Sequence, residues 1–126
     1  LFQNKDDFTI NGNNYQTKDG TCIRDYVHVS DVADAHLLAM NHLNTWKQGQ
    51  TATINLGSGV GYSNLEIVNL AKEVLGLDIK YKFGHRRHGD PSMLVANIDH
   101  AKSLLGYKPK YDISDILKTA YSWYNK

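Results

Sequence analysis

The stretch from Ser63 to Gly76 constrains the fold most, because both ends of a helix are written into it. Ser63-Asn64-Leu65-Glu66 has the form of a capping box, in which serine and glutamate satisfy each other's backbone amides at a helix start. Gly76 supplies the stop. Between them Ile67, Leu70, Ala71 and Val74 recur at helical spacing and mark the face expected to be buried. On one side Ala52, Ile54 and Leu56 alternate within Thr51 to Leu56, which reads as a half-buried strand. On the other, Ile79, Tyr81 and Phe83 alternate with Lys80 and Lys82, a strand with one wet side. Strand, helix, strand is the order of an α/β fold.

The other segments continue the alternation. Phe8-Thr9-Ile10 reads as a short strand, and Asn11-Gly12-Asn13-Asn14-Tyr15 as a turn or hairpin. Tyr26, Val27 and Val29 favour an extended segment, after which Ser30 or Asp31 is expected to cap a helix from about Val32 to Leu43. Its stripe of Val32, Ala35, Leu38, Ala39 and Leu43 is expected to be core. Met93 to Ala96 suggests another short strand, and Asp99 can cap a helix that runs through Leu105 and stops at Gly106. After Pro109, Asp112 opens a last helix with Ile116, Leu117, Ala120, Trp123 and Tyr124 on one side.

With 126 residues the chain is expected to bury one modest core, as a single domain or a piece of one. It opens on Leu1 inside a polar stretch, as a fragment would. The net charge of +1 with scattered basic residues lacks the footprint of a nucleic-acid binder. No apolar run approaches the roughly 18 residues that span a bilayer, and no secretory signal is present, so no membrane partner is expected. Cys22 is the single cysteine, which suits a reducing cytoplasm.

Two polar clusters carry the candidate chemistry. Asp19 to Asp31 places Arg24 and Tyr26 two residues apart, and residues i and i+2 of an extended segment share a face, so both can reach one ligand. Guanidinium groups grip two phosphate oxygens at once, so Arg24 and Arg87 together suggest a pyrophosphate clamp. An Arg-Asp dipeptide is equally the form of a surface ion pair worth little. Asp90, in the exposed loop Gly84 to Pro91, can accept hydrogen bonds from ribose hydroxyls. The glycine run Gly57-Ser58-Gly59-Val60-Gly61 follows the Thr51 to Leu56 segment, but Tyr62 stands where a dinucleotide fingerprint has its third glycine; it is a phosphate cradle or a plain tight turn. His85 and His88 have no third ligand at a recognised spacing, so no metal site is expected.

Taken in order, Thr17-Lys18-Asp19-Gly20-Thr21, Ile23 to Val29, Asp31 to His36, Asn55-Leu56-Gly57, Arg86-Arg87 with Gly89-Asp90, and Gly106-Tyr107-Lys108-Pro109 cover nearly the whole chain. In these segments it resembles the C-terminal half of the UDP-glucose 4-epimerase family of extended short-chain dehydrogenases/reductases. The resemblance implies that residues 1 to 126 are the UDP-sugar-binding portion, with the NAD-binding Rossmann half absent. It implies that Arg24 and Arg87 hold the UDP pyrophosphate, Tyr26 lines the pocket, Asp90 contacts the ribose and Asn64 falls near the nucleotide. Asn11 stands where the family usually has an aromatic ring against uracil, and Leu94 where a residue helps decide whether N-acetylated sugars enter.

Such enzymes interconvert UDP-glucose and UDP-galactose in galactose metabolism by oxidation and re-reduction at sugar C4 with NAD. The base is the tyrosine of a Tyr-x-x-x-Lys motif, which no tyrosine here satisfies, so the piece itself is expected to carry UDP contacts and no catalytic residue. The resemblance also implies the chain's own N-terminal half and a homodimer as partners. A related UDP-sugar epimerase or decarboxylase, or a non-catalytic nucleotide-binding module, are the alternative readings.

Overall fold

The computed structural model describes residues 8–125; the polar start at Leu1 lies outside them. The elements run β1 (Phe8–Asn11), β2 (Ile23–Asp25), α1 (Val29–Leu43), β3 (Gly61–Ser63), α2 (Asn64–Leu75), β4 (Tyr81–Gly84), β5 (Met93–Leu94), α3 (Asp99–Leu105) and α4 (Ile113–Tyr124). This is an α/β chain with one mixed sheet. β1 and β4 pair in parallel, with Asn11 opposite Gly84. β2 is central in a second sheet, antiparallel to β3 and parallel to β5.

Local chemistry explains the helix ends. Ser63 and Glu66 form the capping box of α2, and Gly76 closes it in the left-handed region at φ 65°. Asp112 and Asp115 do the same for the start of α4. Two caps differ from expectation. α1 begins at Val29, because the buried His28 side chain accepts from Ser30 N at 3.1 Å and takes the place expected of Ser30 or Asp31. Asp99 is the first residue of α3 rather than its cap; Asn97 Oδ1 accepts its amide at 2.9 Å.

Buried side chains fall into two clusters where one core was expected. The first joins Ile10 of β1 to Ile67, Val68 and Ala71 of α2, Ile79, and Ile113 and Leu117 of α4. Tyr26 and Tyr62 pack against it. The second joins Ala35 of α1 to Ile98, Ala101 and Tyr107, with Ile54, Leu56 and Ala96 against it. Splitting the apolar residues this way leaves less to cover each helix. On α1 only Ala35 of the expected stripe is fully buried, and Leu43 is exposed; on α4 Trp123 and Tyr124 are exposed as well.

Two strand expectations are corrected. Residues 51–56 keep the alternation, with Ile54 and Leu56 turned toward the second cluster, but join no ladder among the described residues, and a strand exists only where a neighbour accepts its amides. The Asn11 to Tyr15 segment turns, but makes no hairpin with the following strand, because β1 pairs with the distant β4.

One carboxylate ties these parts together. Asp25, at the end of β2, accepts Ser58 N at 2.8 Å and Ser58 Oγ at 2.6 Å on Oδ1, and Gly59 N at 3.0 Å and Ala96 N at 3.2 Å on Oδ2. A Cβ on Gly57 would stand 2.4 Å from Asp25 Oδ2, so that position is a glycine for space. Tyr107, itself buried, donates its hydroxyl to Gly57 O at 2.9 Å. Asp25→Ala, which strands these amides, is expected to destabilise the chain by about 3 kcal/mol in urea denaturation with an unchanged m-value. A variant as stable as the wild type contradicts this role.

Candidate functional site

The two parallel pairings bring the polar clusters together. Because β1 and β4 run the same way, the loops that leave Asn11 and Gly84 emerge at one end, joined by Gly12 N donating to Gly84 O at 3.0 Å. Because β2 and β5 run the same way, with Arg24 opposite Leu94, residues 91 and 92 arrive beside Arg24. Arg24 Nη1 donates to Pro91 O at 3.0 Å and to Ile23 O at 2.8 Å, and Nη2 lies 3.6 Å from Asp90 Oδ1. Asp90 N in turn donates to Arg87 O at 3.4 Å. Arg87 reaches back to β1: with its amide oxygen facing the guanidinium, Asn11 accepts from Nε and Nη2, both at 3.0 Å. Arg24, Asp90, Arg87 and Asn11 therefore form one continuous rim.

Tyr26 and Asn64 form a separate pair. The Tyr26 hydroxyl donates to Asn64 Oδ1 at 3.2 Å, and burial pushes the phenol's pKa up against the opposing pull of the Arg24 charge. Tyr26 also lines a cleft of about 360 Å³ with Ser58, Val60, Tyr62 and Tyr111. Arg24 and Tyr26, expected to reach one ligand, thus end on different partners. Leu94 is 62% exposed beside Arg24.

The glycine turn is not an open phosphate cradle, since the Ser58 and Gly59 amides are held by the Asp25 carboxylate. His85 and His88 are exposed, and no group of three His, Cys, Asp or Glu among the described residues is placed to hold a metal ion. Among the described residues no helix is long and apolar enough to cross a membrane.

The roles of three organising side chains are not legible in the sequence. Asp25 meets partners 33 and 71 residues away, a separation that no local pattern signals. Asp31 is 1% exposed and accepts Lys110 N at 3.0 Å and Tyr111 N at 3.3 Å. His28 stacks on Tyr111 with centroids 4.0 Å apart, and its Nε2 pairs with Thr119 Oγ1 at 2.9 Å. Since His28 Nδ1 accepts from Ser30 N, the proton of the neutral ring sits on Nε2. Histidine is an uncommon cap, whereas Ser and Asp are the usual ones, so sequence favours Ser30 or Asp31 over His28.

A strap fastens β2's entry to α2. Asp19 accepts from Thr21 N and Oγ1, both at 2.8 Å, and from Ser63 Oγ; Glu66 accepts from Ser63 N at 2.8 Å and from Lys18. Burial raises the Asp19 pKa, but the bonds from Ser63 and Thr21 outweigh it and hold the carboxyl below its ordinary value. The Lys18 hydrogen bond, with Ser63 N behind it, lowers that of Glu66.

The family model described as GDP-mannose 4,6 dehydratase matches residues 2–120. The chain is 50% identical over 118 residues to the UDP-glucose 4-epimerase of Lactobacillus helveticus, which covers 93% of this chain and 35% of that protein. Among solved structures it is similar to UDP-glucose 4-epimerase from Bifidobacterium longum in complex with NAD+ and UDP, with a TM-score of 0.89, 32% identity, and coverage of 98% of this chain and 36% of that one. It is similar also to the UDP-Glc/GlcNAc 4-epimerase of Campylobacter jejuni, with a TM-score of 0.82, 39% identity, and coverage of 96% and 36%. The chain therefore spans little more than a third of the length of these relatives.

The strap sets an acid limit. Groups with lowered folded pKa values stabilise fully above their unfolded values, about 4, and that contribution is lost as pH falls through the lower folded values. Urea midpoints measured from pH 6 downward are expected to hold to about pH 4 and then fall. Asp19→Asn is expected to lower the plateau and flatten the fall; an equally steep fall in that variant contradicts the assignment.

Proposed function

The chain belongs to the GDP-mannose 4,6 dehydratase family, and from that premise we propose that it is the C-terminal, nucleotide-sugar-binding portion of a UDP-glucose 4-epimerase. The observation that carries this is the rim in which the Asp90 carboxylate meets Arg24 and the Asp90 amide is bonded to Arg87 O. Each guanidinium carries more donors than its neighbours accept, and a pyrophosphate lying along the rim supplies further acceptors. Arg24 and Arg87 grip the pyrophosphate of UDP. Asp90, joined to Arg24, accepts from the ribose hydroxyls. Asn11, which orients Arg87, stands at the uracil end and meets the base by hydrogen bonding in place of stacking. Tyr26 and Asn64 line the neighbouring wall, and the exposed Leu94 borders the sugar.

The whole protein interconverts UDP-glucose and UDP-galactose, NAD supplying hydride acceptance and return at sugar C4. The glycine-rich turn aims its amides at Asp25 and is not free to cradle NAD, and this chain's part is to bind and orient the nucleotide. The catalytic base and the NAD site then come from the remaining polypeptide. The surface of α1 supports such a partner, since Val29, Leu37, Met40 and Leu43 are all more than half exposed along one helix. Residues 51–56, beside α1 in the second cluster, offer a ladder edge next to that surface.

Titration of UDP into the isotope-labelled 126-residue chain tests the reading. Amide shifts on addition of UDP are expected, with affinity falling at least tenfold in Arg24→Ala and in Arg87→Ala, as loss of a charge-assisted bond to phosphate requires. A folded chain indifferent to UDP overturns it.

A further inference from the structure

Arg86 and Arg87 are adjacent, yet they have different partners. While Arg87 is held by Asn11, the Arg86 guanidinium carbon lies 4.0 Å from the centroid of the Tyr15 ring, within cation–π range. Tyr15 is 4% exposed, and its hydroxyl meets no nitrogen or oxygen partner, only the buried Cys22 thiol, which pushes the phenol's pKa up. A buried tyrosine normally pairs its hydroxyl with a strong partner, and a thiol is a weak one, so here the ring is the part that meets a charged group. The close approach depends on Gly12: at φ 82°, it is a position where a Cβ would stand 2.5 Å from the Tyr15 ring and 3.3 Å from the Arg86 backbone. Tyr15 is itself fixed, its amide donating to Gly20 O at 2.9 Å and its carbonyl accepting Thr17 N at 2.8 Å.

We propose that Tyr15 is a positioning residue, whose buried ring anchors the Arg86 guanidinium and thereby holds the exposed Gly84 to Asp90 loop so that Arg87 faces the anion. Arg86 is then an anchor and Arg87 the ligand-facing arginine. The inference rests on the nucleotide reading above and divides the labour within its site. A loop with both arginines free would spread its conformations; tethering one fixes the backbone from which the other projects, which lowers the ordering cost of binding.

The test uses the 126-residue chain labelled with 15N, in wild type, Tyr15→Leu, Tyr15→Phe, Arg86→Ala and Arg86→Lys forms. An Arg86 Nε–H resonance displaced by the ring current of Tyr15 is expected in the wild type and in Tyr15→Phe, and is lost in Tyr15→Leu. UDP affinity is expected to fall about fivefold in Tyr15→Leu and Arg86→Ala, as loss of a partly exposed cation–π contact implies, and to be retained in Tyr15→Phe and largely in Arg86→Lys. Rescue by the conservative variants separates anchoring from general loss of structure. If Tyr15→Leu does not fold, the two Arg86 variants carry the same comparison. An undisplaced Arg86 resonance in the wild type, or wild-type affinity in the folded Tyr15→Leu or Arg86→Ala variant, overturns the proposal. So does Tyr15→Phe binding as weakly as Tyr15→Leu. A wild-type chain that shows the displaced resonance but no UDP binding refutes the nucleotide reading, and this role with it, while leaving the Tyr15–Arg86 contact standing.

Discussion

The Asp25 carboxylate is the junction on which the rest of the structure depends. It gathers amides from the glycine turn and from the segment after β5, neither of which is near it in sequence. Each of these charge-assisted bonds is stronger than a neutral one. Gly57 is squeezed between this group and Ala96, and Tyr107 bonds to its carbonyl, so the second cluster is tied to β2 through the same point. β2 carries Arg24, and the candidate rim therefore inherits its position from an interaction on the far side of the strand.

Asp19 and Asp31 repeat the device. Each is an acidic side chain turned inward to accept backbone N–H groups: Asp19 at the approach to β2, Asp31 in the first turn of α1, where it holds the chain between α3 and α4. The short aspartate reaches amides that no ladder satisfies, which lets irregular connections pack without stranded donors. The arginines do the reverse. Arg24, Arg86 and Arg87 hold their fixed charges outward, against Asp90, the face of the Tyr15 ring and Asn11.

Local signals were legible where the physics is local. The capping box of α2, the start of α4 at Asp112 and the glycine stops at Gly76 and Gly106 involve residues within one turn, so residue identity suffices to recognise them. Residues 51–56 read as a strand without forming one because alternation reports which side chains face inward and says nothing of whether a ladder partner is present. The apolar face of α4 was overextended to Trp123 and Tyr124 because periodicity does not reveal where the covering element ends. In the site, the two arginine clusters stood out by residue type. The bond from Asn11 to Arg87 and the divergence of Arg24 from Tyr26 did not, since they depend on where other loops arrive.

By itself the sequence determined where α2 and α4 start, where α2 and α3 stop, which residues are charged, and that strands and helices are mixed along the chain. These follow from backbone sterics, capping and side-chain chemistry over a few residues. Only the tertiary structure decided that β1 seeks β4 and β2 seeks β5 and β3, that the apolar residues divide into two clusters, and that Asp25 turns the glycine amides inward. The reason is physical: strand pairing and carboxylate–amide bonds join groups tens of residues apart, and their free energy depends on the whole chain's packing rather than on any local pattern.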